Sequence, residues 1–125
     1  MDAIATDHAP HEPALKDVEF DKSPFGILGC ETALGLALEQ LVHSGKVSLM
    51  RMVELFTTGP ARVLGKERKV AVSEPADLTI FSLDRAWTYN VRESASKSRN
   101  SPFDGRSFKG GPAATIVAGK IVYRT

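Results

Sequence analysis

The sequence predicts an α/β fold, and three observations predict it. A short apolar run at residues 4–6 ends in the polar cluster Asp7-His8-Ala9-Pro10-His11, two stretches carry the apolar spacing of helices, and beyond Gly65 the pattern becomes that of strands. One strand, two or three helices and then a few strands is an awkward order for a complete domain. A strand at residues 3–6 that is apolar on both faces needs neighbours on both sides, and no other parallel-type strand lies near it. The expected architecture is therefore the C-terminal piece of a (β/α)8 barrel, its last strand and helices, followed by the strands of a smaller domain. A whole barrel takes roughly 250 residues, and this chain of 125 supplies only the end of one. Residues 1–65 are assigned to the barrel and residues 66–125 to the smaller domain.

Each element has a local reason. The run at residues 4–6 reads as a buried strand that stops where Asp7 begins a polar turn. Residues 12–23 are polar and mixed in charge, with Pro13 near their start, and read as a long loop of the kind that usually carries function. Leu34, Ala37, Leu38, Leu41 and Val42 follow the i, i+3, i+4, i+7 spacing of one helical stripe, with Gly45 as its stop. Ser48 is a good N-cap for a second helix whose stripe is Leu49, Met52, Val53 and Phe56. Gly59-Pro60 ends that helix, and Pro60 can open one more turn. Residues 76–81 and 114–117 are β-prone, and Gly119-Lys120 separates Val117 from Ile121 as a hairpin turn does. Residues 92–112, rich in Ser, Gly, Lys and Arg, read as an irregular connection.

Composition excludes several classes. Hydrophobic residues at 42% and charged residues at 25% are ordinary for a soluble globular chain, and no apolar run approaches the length that crosses a bilayer. The start is acidic where a secretory signal is basic, and the lone Cys30 cannot close an internal disulfide, so a cytoplasmic setting is expected. The net charge of +1 conceals an asymmetry: residues 1–84 hold 8 Lys+Arg against 13 Asp+Glu, and residues 85–125 hold 8 against 2. Either the halves face each other or water, or one of them meets a charged partner. The basic residues are scattered and no aromatic ladder interleaves with them, so neither nucleic acid nor membrane is an expected partner.

Chemistry concentrates at Asp7, His8 and His11, within five positions. A carboxylate and imidazoles are zinc ligands, and a carboxylate beside an attacking water can carry its proton. The same residue types also cap helices and brace turns, so spacing alone leaves both readings open. His43, at the end of the first helix, is read as complementing the helix dipole.

The run Ile4-Ala5-Thr6-Asp7-His8-Ala9-Pro10-His11 resembles the eighth-strand motif of the dihydroorotases, bacterial class I members of the amidohydrolase superfamily. Pro24-Phe25-Gly26-Ile27-Leu28-Gly29-Cys30-Glu31-Thr32-Ala33 resembles the family's second block. Gly59-Pro60-Ala61, residues 76–80, Asn100-Ser101-Pro102-Phe103-Asp104-Gly105 and residues 117–122 resemble its later landmarks. Hydantoinases and allantoinases keep the Asp-His pair and vary the residues after it. The resemblance implies a zinc-dependent cyclic amide hydrolase, two Zn2+ per site, that interconverts N-carbamoyl-L-aspartate and dihydroorotate in pyrimidine biosynthesis. It implies Asp7 as metal ligand and as catalytic base and acid, and His11, Phe25 and Gly26 as substrate contacts. His8 receives no ligand role and is read as support for the turn. The family's remaining metal ligands lie upstream of the eighth strand, so this fragment alone is expected to be inactive. A homodimer is one expected assembly. An alternative within the resemblance is a non-catalytic chain that serves as structural partner of aspartate transcarbamoylase; another is a related cyclic amidase.

Overall fold

The computed structural model describes residues 1–66 and 69–125. Four α-helices are present among them: α1 (Pro13–Lys16), α2 (Ala33–Ala37), α3 (Leu49–Phe56) and α4 (Thr58–Val63). A π-helical segment, Leu38–His43, continues α2 without a break. Three strands, β1 (Leu78–Thr88), β2 (Ser107–Val117) and β3 (Lys120–Arg124), form an antiparallel sheet in the order β1-β2-β3. The described residues are thus α/β with an antiparallel sheet. No helix among them is long and apolar enough to cross a membrane.

Local chemistry accounts for the boundaries. Gly45, at φ 73°, turns the chain after the π segment, and its N–H bonds the Val42 carbonyl at 2.9 Å. The Ser48 hydroxyl accepts from the Arg51 N–H at 3.2 Å, satisfying one of the free donors at the start of α3. Between β2 and β3, Ala118 and Gly119 both have positive φ, the geometry of a tight two-residue hairpin turn. Asp77 strengthens that turn from outside, its Oδ1 accepting from the Ala118 N–H at 2.8 Å.

The two helical stripes turn toward one another. Ala37, Leu38 and Met52 are buried together, packed by Leu34, Leu41, Val42, Leu49, Val53 and Phe56 and by Phe81 and Leu83 of β1. Apolar packing therefore crosses from the helical half of the chain to the sheet. A second cluster joins Leu28, Tyr89, Val91 and Phe108, with Trp87 stacked on Phe108 at 5.0 Å. Ion pairs join the acidic and basic halves at Glu39–Arg106, 3.0 Å, and at Asp84–Lys109, 3.2 Å, and Glu39 also accepts from the Lys109 N–H.

Four expectations change. Residues 3–6 form no strand here: the Ile4 N–H bonds the Leu55 carbonyl at the end of α3 rather than a neighbouring strand, and Ala5 and Thr6 are exposed. A strand exists only through its ladder, and the sheet of the described residues lies elsewhere. The first helix is α only to Ala37 and π beyond it; one residue added per turn keeps Leu38, Leu41 and Val42 inward, so the apolar spacing looks the same. Both long strands exceed their β-prone cores, β1 running on to Thr88 and β2 starting at Ser107 inside the expected irregular connection. Their pairing supplies the difference: Trp87 lies opposite Phe108 and Thr88 opposite Ser107. Lastly, the loop of residues 12–23 contains the single helical turn α1, with Pro13 at its first position.

Candidate active site

Residues 1–11 run as an extended segment held at several points. The Arg51 guanidinium donates to the Met1 carbonyl at 2.7 Å, and Ile4 bonds Leu55. Gly59 is closely covered by the same segment, since a Cβ there would lie 2.0 Å from the Asp2 carbonyl oxygen. Farther along, the Ala9 N–H bonds the Ile27 carbonyl at 2.9 Å. His8 accepts at Nδ1 from the Gly29 N–H at 3.1 Å and, more weakly, from Cys30 at 3.4 Å. Its proton therefore sits on Nε2, and Nδ1 is engaged in bracing the turn.

Asp7 stands where this bracing is tightest. Its φ of 46° is unusual for a residue other than glycine, and such backbone persists only where its surroundings determine it. Its side chain is exposed, and no described residue hydrogen-bonds to the carboxylate. Both oxygens are free to meet something from outside this chain.

His11, Phe25 and Gly26 come together. The His11 Nε2–H donates to the Phe25 carbonyl at 2.8 Å, leaving Nδ1 as the free ring nitrogen. Gly26, at φ 110°, has the Ala9 methyl so near that an added Cβ would lie 2.4 Å from it and 3.4 Å from His11 Nε2. Only glycine allows both the backbone angle and the approach. The Phe25 ring, by contrast, is 97% exposed. Asp7 makes no hydrogen bond to any of these three; it shares their surroundings through the backbone pairing of Ala9 with Ile27.

A residue without an assigned role in the sequence reading completes the arrangement. Asn100 accepts from the His11 N–H at 3.2 Å through Oδ1 and donates from Nδ2 to the carbonyls of Ala9 at 2.8 Å and Gly26 at 3.2 Å. Its backbone carbonyl accepts from the Leu28 N–H at 3.1 Å. The available signal was its place in the run Asn100-Ser101-Pro102-Phe103-Asp104-Gly105, which carries no spacing relation to residue 11.

The donor set is too small for a metal centre by itself. Among the described residues no group of three or more His, Cys, Asp or Glu side chains could hold an ion. A catalytic zinc takes about three protein ligands, whereas this chain offers the Asp7 carboxylate, with His8 Nδ1 engaged elsewhere.

Comparison with known proteins gives the family of the chain. Residues 1–122 match the amidohydrolase family. The chain belongs to that family. It is 57% identical over 122 residues to a dihydroorotase of Solibacter usitatus, covering 97% of this chain and 28% of that protein. A dihydroorotase of Endomicrobium trichonymphae is 45% identical over 126 residues, covering 99% of this chain and 30% of its own length. The chain thus spans under a third of the curated relatives it matches. Among solved structures, a D-hydantoinase from Thermus sp. superposes with a TM-score of 0.85 at 26% identity, over 99% of this chain and 28% of that one. An L-hydantoinase from Arthrobacter aurescens gives 0.76 at 34% identity, over 85% and 24%.

Proposed function

We propose that this chain is the C-terminal part of a dihydroorotase, and that in the complete polypeptide it supplies the proton-transfer residue and one wall of the substrate site. The observation that carries the reading is identity of 57% to a dihydroorotase across 97% of the chain. Likeness to hydantoinases is strong in fold and weaker in sequence, 26% identity at a TM-score of 0.85. That difference favours dihydroorotate as the ring opened.

In the hydrolytic direction, water attacks the ring amide carbonyl carbon and its proton passes to the Asp7 carboxylate. The carbon–nitrogen bond then breaks, and Asp7 returns the proton to the departing nitrogen, giving N-carbamoyl-L-aspartate. A free carboxylate held by strained backbone suits this exchange, because it stays available to water and keeps a set direction. His11 offers Nδ1 toward the substrate carboxylate, which requires the imidazolium form because Nε2–H is committed to Phe25. Gly26 brings backbone close to the substrate, and the exposed Phe25 ring lies on its apolar side. Zinc is the expected metal, a pair of ions with Asp7 as one ligand; the other ligands belong to the rest of the polypeptide. When bound, the metal supplies an acidified water and polarises the carbonyl.

The division at residue 65 belongs to the same reading. Residues 1–65 would close a (β/α)8 barrel, with residues 3–6 becoming its eighth strand once neighbours supply the ladder, and residues 66–125 would contribute to a small β-sandwich. A homodimer and a cytoplasmic setting accompany the proposal.

Assay of the complete polypeptide with dihydroorotate, hydantoin and allantoin tests it. Turnover of dihydroorotate, and cyclisation of N-carbamoyl-L-aspartate in reverse, are expected. Preferential opening of hydantoin or allantoin would support a related cyclic amidase instead. Absence of turnover with all three would support a non-catalytic partner of aspartate transcarbamoylase, a role disfavoured by the retained Asp7 and His11. Residues 1–125 alone should hydrolyse nothing, since Asp7 alone cannot hold a metal pair.

A further inference from the structure

Two short segments form the candidate site, residues 7–11 and residues 24–29, and they touch each other at the Ala9–Ile27 and His11–Phe25 hydrogen bonds. Among the described residues outside these segments, Asn100 is the one that hydrogen-bonds to both. It lies 89 positions from His11 and 74 from Gly26. Its carboxamide receives one N–H and gives two, and its own backbone carbonyl receives the Leu28 N–H. Leu28 is in turn buried against Tyr89, Val91 and Phe108. Leu28 thus anchors the second segment in that cluster, and Asn100 ties residues 9–11 to the anchored segment.

We propose that Asn100 is a positioning residue that sets the separation of His11 from the Phe25–Gly26 backbone, and thereby the affinity for substrate, without touching substrate itself. The proposal rests on the dihydroorotase reading above. Only a carboxamide meets the demand. One acceptor must face the His11 N–H while two donor hydrogens face the carbonyls of Ala9 and Gly26. A carboxylate of the same shape would place oxygen against both carbonyls, repelling them and freeing Gly26 to move away from Ala9. His11 would follow, because its ring is held by the neighbouring Phe25 carbonyl and its backbone by Asn100 itself. Asp7 is tied to neither Asn100 nor Gly26 by a side-chain bond, so the proton-transfer step should be spared.

Asn100→Asp in the complete polypeptide tests this. KM for dihydroorotate should rise at least tenfold while kcat stays within about threefold of wild type. Asn100 acts through His11, so adding Asn100→Asp to a His11→Ala variant should raise KM by less than twofold more. Hydrogen exchange gives a readout that needs no substrate: the His11 and Leu28 amides should lose protection together while the Ile4 amide, bonded to Leu55, keeps its own. If Asn100→Asp does not fold, Asn100→Ser, with one donor and one acceptor, carries the same comparison. An unchanged KM, a fall in kcat alone, or fully multiplicative effects with His11→Ala would overturn the proposal. If wild type opens hydantoin rather than dihydroorotate, the function reading fails and the KM–kcat split is read with hydantoin. A wild type that turns over neither removes the proposal together with the function.

Discussion

The core around Leu38 and the site around Asp7 are built from the same chain by opposite means. Leu38, Met52 and Leu55 are at most 1% exposed, and their neighbours hold them by area and shape. The site segments bury little. Asp7 and His8 are exposed, and the Phe25 ring stands almost wholly free. Directed bonds hold them instead: backbone to backbone at Ala9 and Ile27, imidazole to backbone at His8 and His11, carboxamide to backbone at Asn100. A region held by area loses stability when atoms are removed. A region held by directed bonds loses geometry while the fold remains.

Substitutions in the complete polypeptide can break or sharpen this contrast. The largest effect is expected from Asp7→Asn, which keeps the shape and removes the proton acceptor. Turnover should fall about 10²–10⁴-fold, the usual contribution of a general acid–base group, with the denaturation midpoint unmoved. Activity within a few-fold of wild type would take the catalytic role from Asp7.

Leu38→Ala, on the other side of the comparison, should lower unfolding free energy by about 2–5 kcal/mol, as large-to-small core changes do, while KM and kcat of the folded fraction hold. Denaturant titration with parallel kinetics reads both. If activity of the folded fraction drops with stability, core and site are coupled more closely than their contacts indicate.

His11→Ala should raise KM about tenfold, roughly 1.4 kcal/mol, and leave metal content as in wild type. Metal analysis of the purified variant decides between substrate contact and ligand, since loss of metal in step with activity would make His11 a ligand. The smallest effect belongs to Ser48→Ala. Loss of the N-cap bond to Arg51 should cost about 1 kcal/mol of stability and nothing in kinetics, because among the described residues α3 hydrogen-bonds the N-terminal segment at Met1 and Ile4, ahead of residues 7–11.

What was legible in the sequence was local. Gly45 and Ser48 mark a helix stop and start because a positive φ and a side-chain acceptor are properties of single residues. The hairpin was read one residue late, at Gly119-Lys120 where the chain turns at Ala118-Gly119, and the two helical stripes could be read as faces that need cover. Asp7 and His11 stood out as candidates because three polar residues of catalytic type crowd into five positions, and the resemblance implied roles for them. What covers the stripes was not legible: they pack on each other and on Phe81 and Leu83, a contact that spacing within one helix cannot announce.

The sequence by itself determined the start of α3 at Ser48, the stop at Gly45, and the crowding of Asp7, His8 and His11, since each depends on a residue and its near neighbours. Tertiary structure alone decided that Ala86-Trp87-Thr88 and Ser107-Phe108-Lys109 lie in strands, because each stretch becomes β through pairing with the other, a partner distant in sequence. It also decided that Asn100 holds His11, for a hydrogen bond depends on where two groups stand in space, and a separation of 89 positions leaves no periodic trace of it.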